Sequence, residues 1–254
     1  MENFKAYAQY YDLLYAEKNY IEEANFILGV YDDRYKKLPS YILDMGCGTG
    51  KHAIALEKQS SASITGIDLS SEMIETAKSK CQNNGRTNFL CADVRNYNST
   101  SKFDLIVSLF HVLSYQNSNA DVTSFFNTAH SNLIENQLFL FDCWFGPSVL
   151  EEKPEPRIKK LESNDIKVFR YAQPEIDYMN NIVNVNYHIV VTDKHSGKHH
   201  EFTETHKMRY FFTPEIRLFL EAQGFELLDC FEWPSKSKLS NRTWNSMFVA
   251  KKCS

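Results

Sequence analysis

The stretch Asp44-Met45-Gly46-Cys47-Gly48-Thr49-Gly50 is where this sequence can hold a ligand. Three glycines at alternate positions remove the Cβ atoms that would keep a ligand away from the backbone. They follow an apolar run, Tyr41-Ile42-Leu43, that reads as a buried strand. A helical pattern begins at about Lys51, so the unpaired N–H groups at its positive end face the same place. Such a cradle suits a nucleotide-like cofactor, and two readings of it stay open. A dinucleotide fingerprint G-x-G-x-x-G/A fails from Gly46, where Lys51 falls on the last position, but passes from Gly48 through Gly50 to Ala53. Asp44, just ahead of the first glycine, points the other way, because a carboxylate there repels a diphosphate and attracts a cation.

These residues need a sheet to carry them. Apolar runs at 41–45, 63–68, 87–91, 103–108 and 137–142 read as strands, and helical patterns at 51–59, 71–82 and 119–133 lie between them. That alternation predicts an α/β fold with a parallel, doubly wound sheet. Ahead of it, apolar positions at helical spacing over 4–35 predict two short helices, broken near Lys18-Asn19, that can act as a lid. After Asp142 the pattern changes. Residues 157–212 alternate with period two, with Lys194-His195-Ser196-Gly197-Lys198 as a hairpin loop, so an antiparallel β cap is expected. Thr213-Pro214-Glu215 opens a helix that Gly224 stops, and strands at 225–232 and 245–251 close the chain. The expected division is a lid at 1–38, a core at 39–145 and 213–254, and a cap at 146–212.

Bulk properties narrow the function class. Lys and Arg number 28 against 32 Asp and Glu, a formal net charge of −4, which argues against nucleic acid as partner. The first residues lack a basic and then apolar leader pattern, and no apolar run nears the roughly 18 residues of a membrane span, so a soluble, cytoplasmic protein is expected. The six cysteines are scattered without a C-x-x-C pair, which predicts reduced thiols and no metal site.

The loop Asp44 to Gly50 resembles the first motif of the class I S-adenosylmethionine-dependent methyltransferases, an acidic residue followed by G-x-G-x-G. The likeness continues at three further strand ends. Gly66-Ile67-Asp68-Leu69-Ser70 resembles the second motif, with its carboxylate twenty residues after Gly48. It implies that Asp68 holds both ribose hydroxyls and that Met73 covers the adenine. Cys91-Ala92-Asp93-Val94-Arg95 resembles the third, in which Asp93 accepts from the adenine amino group and the Val94 N–H donates to the ring. Phe103 to His111 resembles the fourth, whose exit at Leu109 passes under the methionine part of the cofactor. The resemblance implies a Rossmann-like, seven-stranded doubly wound sheet with the β cap inserted between strand five and the last helix. It implies S-adenosyl-L-methionine as cofactor and S-adenosyl-L-homocysteine as product. The implied cofactor contacts are Tyr11, Asp44, Gly46, Cys47, Gly48, Asp68, Leu69, Met73, Asp93, Val94 and Leu109.

Two features narrow the resemblance. Ala8-Gln9-Tyr10-Tyr11-Asp12-Leu13-Leu14-Tyr15 resembles the amino-terminal YDxxY element of small-molecule N-methyltransferases, whose tyrosines close over the sulfonium and the acceptor. Phe141-Asp142-Cys143-Trp144-Phe145, followed by the β insertion and a helix, is similar to the layout of nucleotide-sugar N,N-dimethyltransferases of the desosamine and mycaminose type. The implied reaction is methyl transfer to the amino group of a small polar acceptor, a nucleotide-linked amino sugar. Tyr11 and His111 are the implied catalytic residues, and Tyr15, Asp142 and Trp144 the implied acceptor contacts. His188 and His206 in the cap, and Arg157, Arg170 and the basic stretch 236–242, are further candidates for the acceptor and its diphosphate. Transfer to oxygen or carbon on the same scaffold, a non-catalytic cofactor-binding module and a dinucleotide-dependent oxidoreductase are the alternatives. The exposed cap strands leave room for a homodimer.

Overall fold

The computed structural model describes residues 10–81 and 85–254. The part of the lid before residue 10 lies outside the described residues. Residues 10–14 are helical and lead to helix α1 (Tyr20–Tyr35). The core then runs β1 (Tyr41–Met45), α2 (Lys51–Gln59), β2 (Ser63–Asp68), α3 (Ser71–Lys80), β3 (Thr87–Cys91), β4 (Phe103–Ser108), a 3-10 turn (Val112–Tyr115), α4 (Asn119–Asn132) and β5 (Leu133–Phe145). A short helix α5 (Gly146–Glu152) precedes four strands, β6 (Arg157–Glu162), β7 (Ile166–Asp177), β8 (Ile182–Asp193) and β9 (His199–Phe211). The chain closes with α6 (Thr213–Ala222), β10 (Phe225–Glu232) and β11 (Asn245–Lys252).

Strands β3-β2-β1-β4-β5 are parallel, and β11 and β10 extend the sheet beyond β5 in antiparallel fashion. This is the Rossmann-like, doubly wound sheet of seven strands. Alternation along each strand sends its side chains to opposite faces. Ile42, Val107 and Leu140 face a layer holding Ile27, Tyr31 and Leu56, whereas Leu43, Ile106, Phe139 and Phe141 face Phe125, Phe126, Ile216 and Leu220. With both faces covered, the central strands are apolar throughout.

The insertion is an antiparallel meander, β6-β7-β8-β9, and it is spliced into the core sheet. Trp144 and Phe145 pair in parallel with Tyr210 and Phe211, along the edge of β5 that β4 vacates after Ser108. This pairing explains why β5 runs to Phe145, beyond the expected end at 142. At its other end β5 already starts at Leu133, where it pairs Phe103. Helix α3 is shorter than the expected 71–82, because Cys81 turns extended at φ −74°, ψ 140°. Among the described residues no helix is long and apolar enough to cross a membrane, and all six cysteines are free thiols.

One buried side chain fixes the long β3–β4 connection. The Asn132 amide donates to the carbonyls of Tyr97 (2.9 Å) and Thr128 (2.8 Å) while its oxygen accepts from the Ser99 N–H at 2.8 Å. Asn132→Ala leaves those groups unpaired and should cost about 2–4 kcal/mol, measured by urea unfolding.

Candidate active site

The glycine loop is held from below. The N–H groups of Gly46 and Cys47 both donate to the Ile67 carbonyl at 2.8 and 2.9 Å, so the loop folds back over the end of β2. The three glycines have φ of 83°, 53° and 77°, the left-handed region that disfavours side chains. Their reasons differ. A Cβ on Gly46 would stand 2.5 Å from Val112, and one on Gly50 2.5 Å from Phe89, so these two make room for protein. A Cβ on Gly48 would meet nothing within 4 Å, and this is the glycine that leaves the cradle open to a ligand. Gly46, a residue the sequence assigns to the cofactor, therefore acts through close packing.

Two acids line the cradle with opposite duties. Asp68 accepts from the Gly48 N–H through Oδ2 and from the Ser70 N–H through Oδ1, both at 2.9 Å, which ties the loop to the start of α3. Asp44 is 1 % exposed, and its Oδ2 has no hydrogen-bond partner among the described residues. Burial, with Asp68 nearby, pushes its carboxyl up to about 7. An orphaned buried acid beside an open cradle fits a cationic nucleoside cofactor and does not fit a diphosphate. Leu69, 67 % exposed beside Asp68, offers an apolar surface to a flat ring.

Other expected contacts are placed differently. Asp93 is clamped by the Arg95 guanidinium at 2.6 to 3.1 Å, and Arg95 reaches on to Asp121 at 2.9 Å. The guanidinium holds the Asp93 carboxyl below its ordinary range, against partial burial. Met73 is buried in a cluster with Tyr10, Leu14, Val168 and Ile189, so it docks the amino-terminal segment. Val94 and Leu109 are buried in the two core layers, and Cys47 has a buried thiol whose pKa burial raises.

Asp12, which sequence reasoning passed over, latches the lid onto the glycine loop. Its carboxylate lies 2.7 Å from the Thr49 hydroxyl, 2.5 Å from Lys80 Nζ and 3.3 Å from Lys51 Nζ. Tyr11 and Tyr15 follow on the same segment, with ring centroids 4.9 Å apart, and both meet Phe110 edge-on. The Lys18 ammonium caps the Phe110 ring at 4.0 Å.

The exits of β4 and β5 complete the chamber. Phe110 and His111 are both left-handed, at φ 71° and 66°, a conformation rare for side-chain-bearing residues and typical of functional turns. Asp142 sustains it: the carboxylate accepts from the His111 N–H at 2.9 Å and lies 3.1 Å from His111 Nδ1. Burial opposes charge on Asp142, but His111 and Lys18 outweigh it and hold the carboxyl below its ordinary range. Asp142 is 1 % exposed and stands behind His111. Trp144 packs edge-on to His111 at 6.4 Å and to Trp244 at 5.8 Å. Trp144 also opens a cavity of about 490 Å³ under the cap, lined by Trp244, Tyr187, Arg157, Lys159 and Arg170.

Comparison with known proteins agrees with this geometry. Residues 42–136 match the family described as "Methyltransferase domain". A putative methyltransferase of Bacillus subtilis is 26% identical over 225 residues, 88% of this chain and 87% of the relative. The dTDP-3-amino-3,4,6-trideoxy-alpha-D-glucopyranose N,N-dimethyltransferase of Streptomyces venezuelae is 22% identical over 224 residues, 87% of this chain and 90% of that one. Among solved structures, an S-adenosylmethionine-dependent methyltransferase from Clostridium acetobutylicum shares the fold across 100% of both chains at TM-score 0.83 and 22% identity. A sugar N-methyltransferase from a Streptoalloteichus species does so at TM-score 0.79 and 20% identity, over 96% of this chain and 93% of that one.

Two outcomes are expected. In the free protein Asp44 is protonated below about pH 7, and a cationic ligand must expel that proton. Calorimetry should therefore find S-adenosylmethionine binding about tenfold weaker at pH 6 than at pH 8. Asp44→Asn should flatten that dependence and weaken binding at pH 8 by about 10–100-fold. The same raised pKa opposes folding as pH climbs from the unfolded value near 3.9 to about 7, so Asp44→Asn should also raise the melting temperature of the free protein at pH 8. Asp12→Ala should loosen the lid and raise the rate of tryptic cleavage after Lys18 by about tenfold, as befits a partly exposed ion-pair network. With a methyltransferase domain matched over residues 42–136, a fold shared over the whole chain and a cradle that fits a cationic nucleoside, this protein is an S-adenosylmethionine-dependent methyltransferase.

Proposed function

We propose that this enzyme methylates the amino group of a small polar acceptor, a nucleotide-linked amino sugar. The cavity beneath the cap carries this reading. It adjoins the donor chamber at Trp144, offers the flat walls of Trp144, Trp244 and Tyr187, and holds three cations on one face of the β6–β7 hairpin. Lys159 stands directly opposite Arg170 across the strands, with Arg157 two residues along the same face. Like charges so placed repel, and an anion between them removes the cost. Arg170 is 8 % exposed, stacks on the Tyr187 ring at 4.6 Å, and its Nε has no hydrogen-bond partner among the described residues. Burial and the two arginines lower the Lys159 pKa, which a phosphate would reverse. The relatives that act on amino sugars support the amine end of the acceptor.

S-adenosylmethionine, when bound, supplies a methyl group on a positively charged sulfur. The chain's task is alignment and the exclusion of water, which can contribute roughly 7–11 kcal/mol to such a reaction. Tyr11, Tyr15 and Phe110 form an aromatic wall that can face a cationic methyl group, and Asp12 holds that wall shut. His111, fixed by Asp142, and Trp144 border the acceptor side.

The test is mass spectrometry of products from nucleotide-linked amino sugars and their hydroxy analogues, with N-methylation of the amines expected. Methylation of the hydroxy compounds alone would refute the amine. Arg170→Gln should raise KM for a nucleotide-linked amine by about 10–100-fold and leave KM for the free amino sugar unchanged.

A further inference from the structure

Three elements bring one string of polar side chains to the cap side of the chamber. Tyr115 leaves the turn after β4, and its hydroxyl lies 2.8 Å from Nδ1 of His206 on β9. The other ring nitrogen of His206 is 3.3 Å from Glu204, whose carboxylate also accepts from the Tyr10 hydroxyl at 3.2 Å. Glu204 and His206 are two residues apart on β9 and so share one face, with side chains only 13% and 15% exposed. The Tyr115 ring is 45% exposed and ends the turn that begins at His111, on the border of the chamber.

We propose that Tyr115, His206 and Glu204 form the exit for the proton that the acceptor ammonium must lose before its nitrogen can attack. The proposal rests on the amine reading given above. In the step, the acceptor N–H bond breaks and its proton passes to the Tyr115 oxygen. The Tyr115 hydroxyl proton passes at the same time to His206 Nδ1. The nitrogen keeps the electron pair as a neutral amine, tyrosine stays neutral, and the positive charge rests on an imidazolium beside the Glu204 carboxylate. Tyr115 is thus a catalytic residue, and Glu204 positions and charges the histidine behind it.

The surroundings suit this route. Desolvation of the hydroxyl, together with Tyr15, Tyr187 and Glu204, raises Tyr115 above its ordinary range even though its ring is half-exposed, so it relays a proton and does not hold a charge. Among the described residues, the groups facing His206 include Glu204 on its own strand, Tyr187 edge-on from β8 at 5.1 Å, and Tyr115 from the turn. Beyond them, Tyr10 comes from the amino-terminal segment and Arg170 from β7, a cation that Glu204 offsets. The His206 side chain is itself 15% exposed, so a proton on it can pass to solvent. His111, the other histidine at the chamber, is as exposed as His206 but faces the buried Asp142, which also holds its backbone N–H.

The test is kcat/KM against pH from 6 to 10, with dTDP-3-amino-3,4,6-trideoxy-α-D-glucopyranose as the acceptor probe. Tyr115→Phe removes one oxygen from a half-exposed ring. It should lose about 10²–10³-fold at pH 7 and recover about tenfold per pH unit as the acceptor ammonium titrates, with unchanged S-adenosylmethionine affinity. His206→Asn and Glu204→Gln should show the same slope. A loss equal at every pH, no loss at all, or the slope appearing in His111→Asn instead would overturn the relay while wild-type N-methylation leaves the amine reading standing. A wild-type enzyme that methylates only hydroxyl acceptors overturns both.

Discussion

Asp44 is a buried carboxylate with one oxygen that no described residue pairs. It lies at the carboxyl end of the central strand, closed in by β2 and β4. A group so placed opposes folding, and the apolar layers packed on both faces of the sheet offset its cost. The unsatisfied charge is what makes the cradle selective for a cation. Asp68 then holds the Gly48 N–H, which ties the loop that carries the open glycine to the end of β2.

The remaining chamber is built around that fixed point by contacts of long range. The lid is held by Asp12 against two lysines and a threonine from three places around the glycine loop. The turn after β4 is held by Asp142 from β5 in a conformation its residues would not adopt alone. The cap is held by two residue pairs at the end of β5, which places Tyr187, Glu204 and His206 over the same opening. The cradle and the cap thus meet where strands four and five end, the usual place for a ligand in a doubly wound sheet.

The cap face shows how a stable strand pattern can carry polar function. Its inward positions alternate apolar residues such as Ile189, Val185 and Val183 with Arg170, Tyr187, Glu204 and His206. The apolar members pack on Tyr10, Leu14 and Val149 and fix the sheet, and the polar members are then held at the chamber with little freedom to move.

Much of this was legible in the residues themselves. Strand and helix periodicity, the glycine loop, the acids at 44 and 68, and the tyrosines at 11 and 15 are local patterns, and local backbone chemistry decides them. Tertiary structure alone decided the rest, because each remaining role depends on partners distant in sequence. It separated Gly48, which faces open space, from Gly46 and Gly50, which face Val112 and Phe89. It set the Asp142 carboxylate behind His111 and packed Met73 against Tyr10 and Leu14 of the amino-terminal segment. It set Lys159 against Arg170 and joined Tyr115 to His206 across 91 residues, since strand register and burial follow from the packing of the whole chain and no short segment encodes them.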